Sequence, residues 1–311
     1  MDRKLKALKK IDVKKGKGLE LGPLYSPVLL KSEAKVYYVD HMSTPGLRKK
    51  YSGHPFSLDG IVDVDYVVGK LSLTEAVASK KFDYVIASHV IEHIPDVVGW
   101  FKEVASVLKS GGILSLVIPD KRYSFDVSRD VSRPSAVIGA YLDGLKKASS
   151  EMVYDSAVEY REVTTAEAGW SDIPWSYKIP SKWNVSEAYR RALLNLDPNE
   201  YVDCHCYVFT PESFFTILRS LVTHELFDYE VVYYSETARN DLEFYVSLRK
   251  VKKRDSKKQL ASIPKIKRPL RIEELERKVE LLNHEIISMK NSKSWRVTKP
   301  IRIANSLLKR S

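Results

Sequence analysis

The feature that most constrains this chain is an alternation of short, apolar, β-rich runs with helical stretches through its first 120 residues. Gly18–Leu21 reads as a first strand that ends in a turn at Gly22-Pro23. Lys35–Val39 reads as a second, closed by Asp40. A third is expected at Ile61–Val67, a fourth at Phe82–Ala87 and a fifth at Gly112–Ile118, the last closed by Pro119 and Asp120. Between the fourth and fifth, Val97, Trp100, Phe101, Val104, Val107 and Leu108 recur at helical spacing, with Gly111 where a helix would end. Strand, helix, strand in this order implies a parallel sheet covered on both faces.

The second half breaks that rhythm. Residues 127–203 are too many for a simple connection, so they read as an insertion with helices of its own on the acceptor side of the domain. A helix follows from Pro211, then two strands, Tyr229–Tyr234 and Leu242–Leu248, joined by a polar turn. The fold class expected is therefore α/β: a Rossmann-like parallel sheet with a C-terminal antiparallel hairpin, helices on both faces, and a C-terminal helical tail.

Charge divides the chain at the same place. Residues 250–311 hold 19 basic and 6 acidic residues, while residues 1–249 hold 32 basic and 34 acidic. Residues 1–249 are thus close to neutral and no nucleic-acid surface is expected on them, whereas an anionic partner for the tail is. Residues 1–249 read as the domain, 250–271 as a basic linker and 272–311 as a tail. In the tail Ile272, Leu275, Val279, Leu282, Ile286 and Met289 are spaced as a short heptad seam, which suits a coiled coil. There is no run of 18 apolar residues and no secretory leader, and the two cysteines, Cys204 and Cys206, are too close in sequence to pair. A reduced, cytoplasmic location follows as the expectation.

In an open parallel sheet the ligand lies beyond the carboxyl ends of the strands, where strand order reverses. Glu20 and Gly22 end the first strand there, and Gly22 lets backbone approach a ligand closely. Asp40 ends the second strand, where a carboxylate can accept both hydroxyls of a ribose. Asp65, or failing it Asp63, is expected to end the third, beside an adenine amino group. A turn followed by two such acids points to an adenosine-bearing cofactor; the plainer reading is that the acids cap turns.

The segments LELGP at 19–23, YYVDH at 37–41, FDYVIASHVIEHIPD at 82–96 and LKSGGILSLVIPD at 108–120 resemble the class I methyltransferases, in particular the bacterial type 11 methyltransferase-domain proteins. The terminal helix and hairpin are also typical of that group. The resemblance spans about residues 15–250 and implies S-adenosylmethionine as cofactor. It implies Glu20 and Gly22 along the methionine part, Asp40 on the ribose and Asp65 by the adenine, with Ser88 and His89 beside the reactive sulfonium. The family commonly has more glycines at the first turn; here Pro23 follows Gly22. No phosphate-binding G-x-x-x-x-G-K-[ST] and no G-x-G-x-x-G occur, which argues against a P-loop kinase or a dehydrogenase.

Methyl transfer needs alignment of acceptor, methyl and sulfur, and a hydroxyl acceptor also needs a base. Candidates are His89, Asp120 and His205, with His93 read rather as surface or packing. Asp203-Cys204-His205-Cys206 invites a metal test, but no second cysteine pair exists, so two buried cysteines and no metal are expected. Trp170, Trp175 and Trp183 either stack on an acceptor or pack the insertion onto the core.

The tail segment NSKSWRVTKPIR resembles a short motif that ends bacterial glycosyltransferases of surface-polysaccharide assembly. With the seam before it, residues 272–311 suit a homo-oligomer, a glycosyltransferase partner or docking on an anionic membrane face. The expectation is an O-methyltransferase acting on a saccharide or other small-molecule acceptor, on a sugar hydroxyl of a surface polysaccharide or glycoconjugate. The competing reading is a non-catalytic Rossmann-like scaffold.

Overall fold

The computed structural model describes residues 2–53, 57–170, 180–266, 279, 281–284 and 286–289. In chain order these form α1 (Arg3–Ala7), β1 (Lys17–Leu21), β2 (Lys35–Asp40), α2 (Thr44–Lys50), β3 (Tyr66–Val67) and α3 (Leu73–Ala76). There follow β4 (Phe82–Ser88), α4 (Val97–Val107), β5 (Leu108–Pro119), α5 (Pro134–Leu142), α6 (Ser150–Val158) and α7 (Val185–Leu194). The last are α8 (Pro211–Thr223), β6 (Tyr229–Ser235), β7 (Glu243–Lys250) and α9 (Ser256–Ser262).

Seven strands make one sheet in the order β3-β2-β1-β4-β5-β7-β6. β1 to β5 run parallel, and β7 runs antiparallel to both β5 and β6. The Rossmann-like sheet with its terminal antiparallel hairpin is therefore as expected. Its two faces are apolar for the usual alternation of side chains along strands. On one face Ala7, Val28 and Leu29 cover Tyr38, Tyr84, Ile86, Val117 and Tyr245. On the other, Phe244 packs against Phe214 of α8, and Phe101 of α4 packs edge-on against Phe227. α8 forms where it does because Thr210 and Ser213 cap each other's backbone and Pro211 opens the first turn.

Three expectations change. The third strand is two residues long, not seven, because the backbone before it is bonded elsewhere: Val62 N donates to Leu24 O and Val64 N to Thr44 Oγ1, outside any ladder. α4 ends at Val107 rather than at Gly111, and β5 starts at once, with Leu108 paired to Phe82. Gly111, at φ +77°, instead lies in the exposed start of β5, where the register with β4 shifts. The basic linker is not wholly a linker. Residues 256–262 form α9, capped by Asp255, and the compact unit runs from Met1 to Pro264. Gln259, 2% exposed, holds α9 down by donating to Phe227 O and Tyr229 O at 2.8 and 2.9 Å.

Residues 127–203 carry α5, α6 and α7 as an insertion between β5 and α8. The second unit, Lys265–Ser311, is helical at 281–284 and 286–289, and Val279, Leu282, Ile286 and Met289 of the seam are 42–56% exposed. Ile272, Leu275 and the 291–302 motif lie outside the described residues. No described helix is long and apolar enough to cross a membrane.

Gln259→Ala should leave two buried carbonyls unpartnered and destabilise the domain by about 2 kcal/mol. Urea denaturation followed by circular dichroism measures this, and an unchanged midpoint would mean that α9 is not part of the cooperative unit.

Candidate active site

The carboxyl ends of β1, β2 and β4 lie side by side, since β1 pairs with β2 on one side and β4 on the other. The chain proceeds outward from β1 through β2 to β3, then returns to β4, so the reversal of strand order falls between β1 and β4. Gly22 sits at that point with φ +60°, and a Cβ there would lie 3.3 Å from Val90 Cγ2. A side chain would therefore be strained as well as crowded. Leu24, at φ +47°, continues the same tight turn, and Pro23 lies between them.

Glu20 is 1% exposed, and its carboxylate accepts from the Val28 and Leu29 backbone N–H groups at 2.5 and 3.1 Å. It thus braces the loop that follows Gly22. Burial pushes its carboxyl up to about 7, against the opposing pull of those two N–H groups. Asp40 ends β2 at 8% exposure; Oδ1 accepts from the His41 backbone N–H and lies 2.5 Å from His41 Nδ1. Asp40 Oδ2 makes no hydrogen bond among the described residues. Ser88 ends β4 and accepts from Arg3 Nη2 at 2.8 Å.

Asp65 does not end the third strand. It precedes Tyr66, and its carboxylate accepts from Tyr38 N and from Lys31 Nζ, each at 2.8 Å. The residue at the carboxyl end of β3 is Val67. Asp120 is a second correction. It is 0% exposed and holds Arg122 Nε and Nη2 at 2.9 and 2.6 Å and Thr237 Oγ1 at 2.9 Å. A carboxylate so enclosed and so engaged has no free lone pair for an acceptor proton, so it is a brace between β5 and the residues after β6.

Past β4 the chain turns sharply. His89 has φ +54°, and Ile91–His93 form a single 3-10 turn. His89 Nε2 lies 2.7 Å from Glu243 Oε2, and His89 Nδ1 lies 3.8 Å from Glu92 Oε1. Glu243 also accepts from Arg3 Nε at 2.7 Å and Tyr245 OH at 2.5 Å. Burial alone would raise Glu243, but these three donors, His89 foremost, hold it down at about 2.

Two further histidines close the site. His93 Nδ1 lies 2.9 Å from Asp203 Oδ1, and His205 Nδ1 lies 2.5 Å from Asp126 Oδ2. Burial opposes the His93 charge, but Asp203 and then Glu92 outweigh it and raise its pKa to about 9. Asp126 is buried, which alone would raise it, yet His205 and Arg129 keep its carboxyl below the ordinary range. The two rings meet edge-on with centroids 4.7 Å apart.

These rings separate two cavities of about 210 and 220 Å³. The first is lined by His89, Glu92, Pro119, Tyr123, Phe125 and Leu242, at the ends of β4 and β5. The second opens into the insertion and is lined by Phe125, Tyr160, Lys182, Trp183, Arg191 and Asp203. Trp183 therefore faces a cavity, with Arg191 stacked over its ring at 4.8 Å. Trp175 and the Trp170 side chain lie outside the described residues. Of the sequence candidates, His89, Ser88 and His205 come to this end of the sheet with Gly22 and Asp40. Arg3, Glu92, Asp126 and Glu243 are site residues that the sequence reading did not single out.

Residues 15–116 match the family model described as a methyltransferase domain. No curated protein matches the sequence. Among solved structures the chain is similar to an S-adenosylmethionine-dependent methyltransferase from Listeria monocytogenes, at 15% identity and a TM-score of 0.39, over 79% of this chain and 97% of that one. It is also similar to the CcbJ methyltransferase from Streptomyces caelestis, at 20% identity and a TM-score of 0.28, over 42% of this chain and 56% of that one. A third is the glycopeptide N-methyltransferase MtfA, complexed with sinefungin, at 19% identity and a TM-score of 0.27, over 39% and 55%. The chain thus spans just over half the length of the latter two. At these identities and scores the likeness carries nothing about the acceptor.

Two outcomes follow from the geometry. Asp40→Ala should weaken S-adenosylmethionine binding by about 10- to 100-fold while the fold is kept, the loss of a charged hydrogen-bond acceptor; unchanged affinity by calorimetry would mean that Asp40 does not meet the cofactor. Glu20, with its native pKa near 7 against 4.5, keeps its proton in the folded state where the unfolded chain has lost it. Its contribution to stability is therefore full below pH 4.5, declines as pH rises through 7, and totals on the order of 3 kcal/mol. Glu20→Gln should remove that decline between pH 4.5 and 7 in thermal melts without cofactor; an identical slope would show that Glu20 is ionised in the native state throughout.

Proposed function

We propose that this protein, whose residues 15–116 match the methyltransferase-domain family model, is an S-adenosylmethionine-dependent enzyme that methylates a sugar hydroxyl in bacterial surface polysaccharide or glycoconjugate synthesis. The observation that carries the oxygen acceptor is His89, held just past β4 with Nε2 on the carboxylate of Glu243, Nδ1 3.8 Å from Glu92 Oε1 and the residue lining the inner cavity of about 210 Å³.

Bound S-adenosylmethionine supplies a methyl already activated by positive sulfur. The residues at hand fit the cofactor: Gly22 leaves room for its close approach, Asp40 offers a free carboxylate oxygen to a ribose diol, and Ser88 and His89 follow the fourth strand. Arg3, which donates to both Ser88 and Glu243, supplies a cation for an amino-acid carboxylate nearby. Asp65 has no part in this reading, and neither does Asp120.

The chain's own task is then to orient a hydroxyl and take its proton. A carboxylate on Nε2 fixes the tautomer in which Nδ1 is the acceptor, so Glu243 makes His89 a base aimed at the cavity. The sugar fits the outer cavity by chemistry. Trp183 and Tyr160 offer aromatic faces to a ring's C–H side, while Lys182, Arg191 and Asp203 offer hydrogen bonds to hydroxyls. The tail's resemblance to glycosyltransferase ends supports the same setting, and the reading extends to a coiled-coil docking role for residues 272–311 on a glycosyltransferase, a second copy or an anionic membrane face.

His89→Ala should lower kcat by about 10²- to 10⁴-fold and leave cofactor affinity intact. Conversion of S-adenosylmethionine to S-adenosylhomocysteine with sugar-nucleotide and lipid-linked sugar acceptors measures it. An unaltered kcat would remove His89 from the chemistry, and turnover only with amine acceptors would replace the hydroxyl by nitrogen.

A further inference from the structure

Glu92 is the residue that the reaction as described leaves unexplained. The residue is 0% exposed, and among the described residues neither carboxylate oxygen has a hydrogen-bond partner. A buried carboxylate without partners is costly and is ordinarily matched by a bound cation or donor. What surrounds it is not apolar. One donor atom each of Glu92, His93 and His205 lie within 4.8 Å of one another, and His89 Nδ1 lies 3.8 Å from Glu92 Oε1.

The two imidazoles are also prepared in the same way. His93 gives Nδ1 to Asp203, and His205 gives Nδ1 to Asp126. A carboxylate on one ring nitrogen orients the ring and leaves the other nitrogen as the ligand atom, which is how metal-binding histidines are held; without an ion Asp203 and Glu92 favour the protonated His93 ring, and an ion would displace that proton to reach the lone pair. Asp126 is itself fixed by Arg129 at 3.0 Å. Each histidine thus has an orienting acid from a different segment, and the unpartnered carboxylate completes the set.

We propose that Glu92, His93 and His205 hold a divalent first-row transition ion of the zinc class between the two cavities. Two imidazoles and one carboxylate are a donor set for such ions, and three protein ligands leave a position open. The donors span up to 4.8 Å against about 3–3.5 Å around an ion with bonds near 2.1 Å, a gap that side-chain rotation closes. The cysteines are not ligands: Cys206 is buried with Sγ donating to His93 O at 3.3 Å, and Cys204 flanks the outer cavity.

The open position takes the acceptor oxygen, a role that rests on the methyl-transfer reading although the ion site does not. Coordination acidifies the hydroxyl. The O–H bond breaks and its proton passes to His89 Nδ1. The oxygen pair forms the new O–CH₃ bond as the CH₃–S bond breaks, and that pair returns to sulfur as a neutral thioether.

The test uses the full chain, stripped with a chelator and titrated with Co²⁺ by visible absorption and with Zn²⁺ by calorimetry. One equivalent of Co²⁺ should bind with d–d bands and no sulfur-to-cobalt charge transfer, and Zn²⁺ should displace it. Glu92→Gln and His93→Gln should each weaken binding by about tenfold or more, with the fold checked by circular dichroism. The double variant Cys204→Ser, Cys206→Ser should bind as the native protein does. Absence of stoichiometric binding by the folded native chain would overturn the proposal. A thiolate charge-transfer band, or metal lost in the cysteine variant and kept in Glu92→Gln, would overturn it as well. S-adenosylmethionine titrated into the metal-free sample reads the methyl-transfer assignment separately.

Discussion

The site depends on one reversal of chain direction. β7 runs antiparallel between β5 and β6, so its first residue, Glu243, pairs with Pro119 at the carboxyl end of β5. A parallel strand in that place would present its last residue there instead. The reversal delivers a carboxylate to the one end of the sheet where β1, β2 and β4 also stop. Glu243 then gathers Arg3, His89 and Tyr245, and stays ionised although buried because three donors replace the water it lost. Asp120, one residue beyond β5, is bound into the same layer through its N–H to Leu242 O at 2.8 Å.

A second regularity follows. Each of the three histidines at this end leans on an acid brought from elsewhere: His89 on Glu243, His93 on Asp203 and His205 on Asp126. The acids come from the start of β7, from the segment returning out of the insertion and from the segment that enters it. Orientation of the rings is therefore set by tertiary structure and not by local structure: His93 lies on a single 3-10 turn, His89 is a left-handed residue before it, and His205 lies outside any helix or strand. The insertion does more than cover the sheet. It supplies Tyr160 and Trp183 to the outer cavity and, through Arg129, holds Asp126 and reaches Asp155 of α6 at 2.8 Å.

Much of this was legible beforehand, for physical reasons that also mark the limit. β1, β2, β4 and β5 are nearly continuous apolar runs because both faces of the sheet are buried, and such runs announce themselves. β3 was overread because Ile61–Val67 alternates apolar and acidic residues, yet its backbone bonds go to Leu24 and the Thr44 hydroxyl. α9 was missed because its helix is basic on the exposed sides and is fastened by one buried glutamine, which no periodicity reveals. Asp120 and Asp65 occupy plausible ligand positions in the sequence, and only the fold shows Arg122, Thr237, Lys31 and Tyr38 N already on them. The acids that matter most could not be found by spacing: Arg3 and Glu243 are 240 residues apart, His89 and Glu243 154, and His205 and Asp126 79. Glu92 and His93 stood in a quoted motif, but the third member of their cluster, His205, was weighed as a base and, for a metal, only beside its two neighbouring cysteines.

The most direct measurement is isothermal titration of the whole protein with S-adenosylmethionine and, separately, with S-adenosylhomocysteine. The proposed cofactor role of Gly22, Asp40 and Ser88, which lie at the carboxyl ends of neighbouring strands beside the reversal of strand order, predicts saturable one-to-one binding of both. Absence of heat from a chain shown to be folded would contradict it.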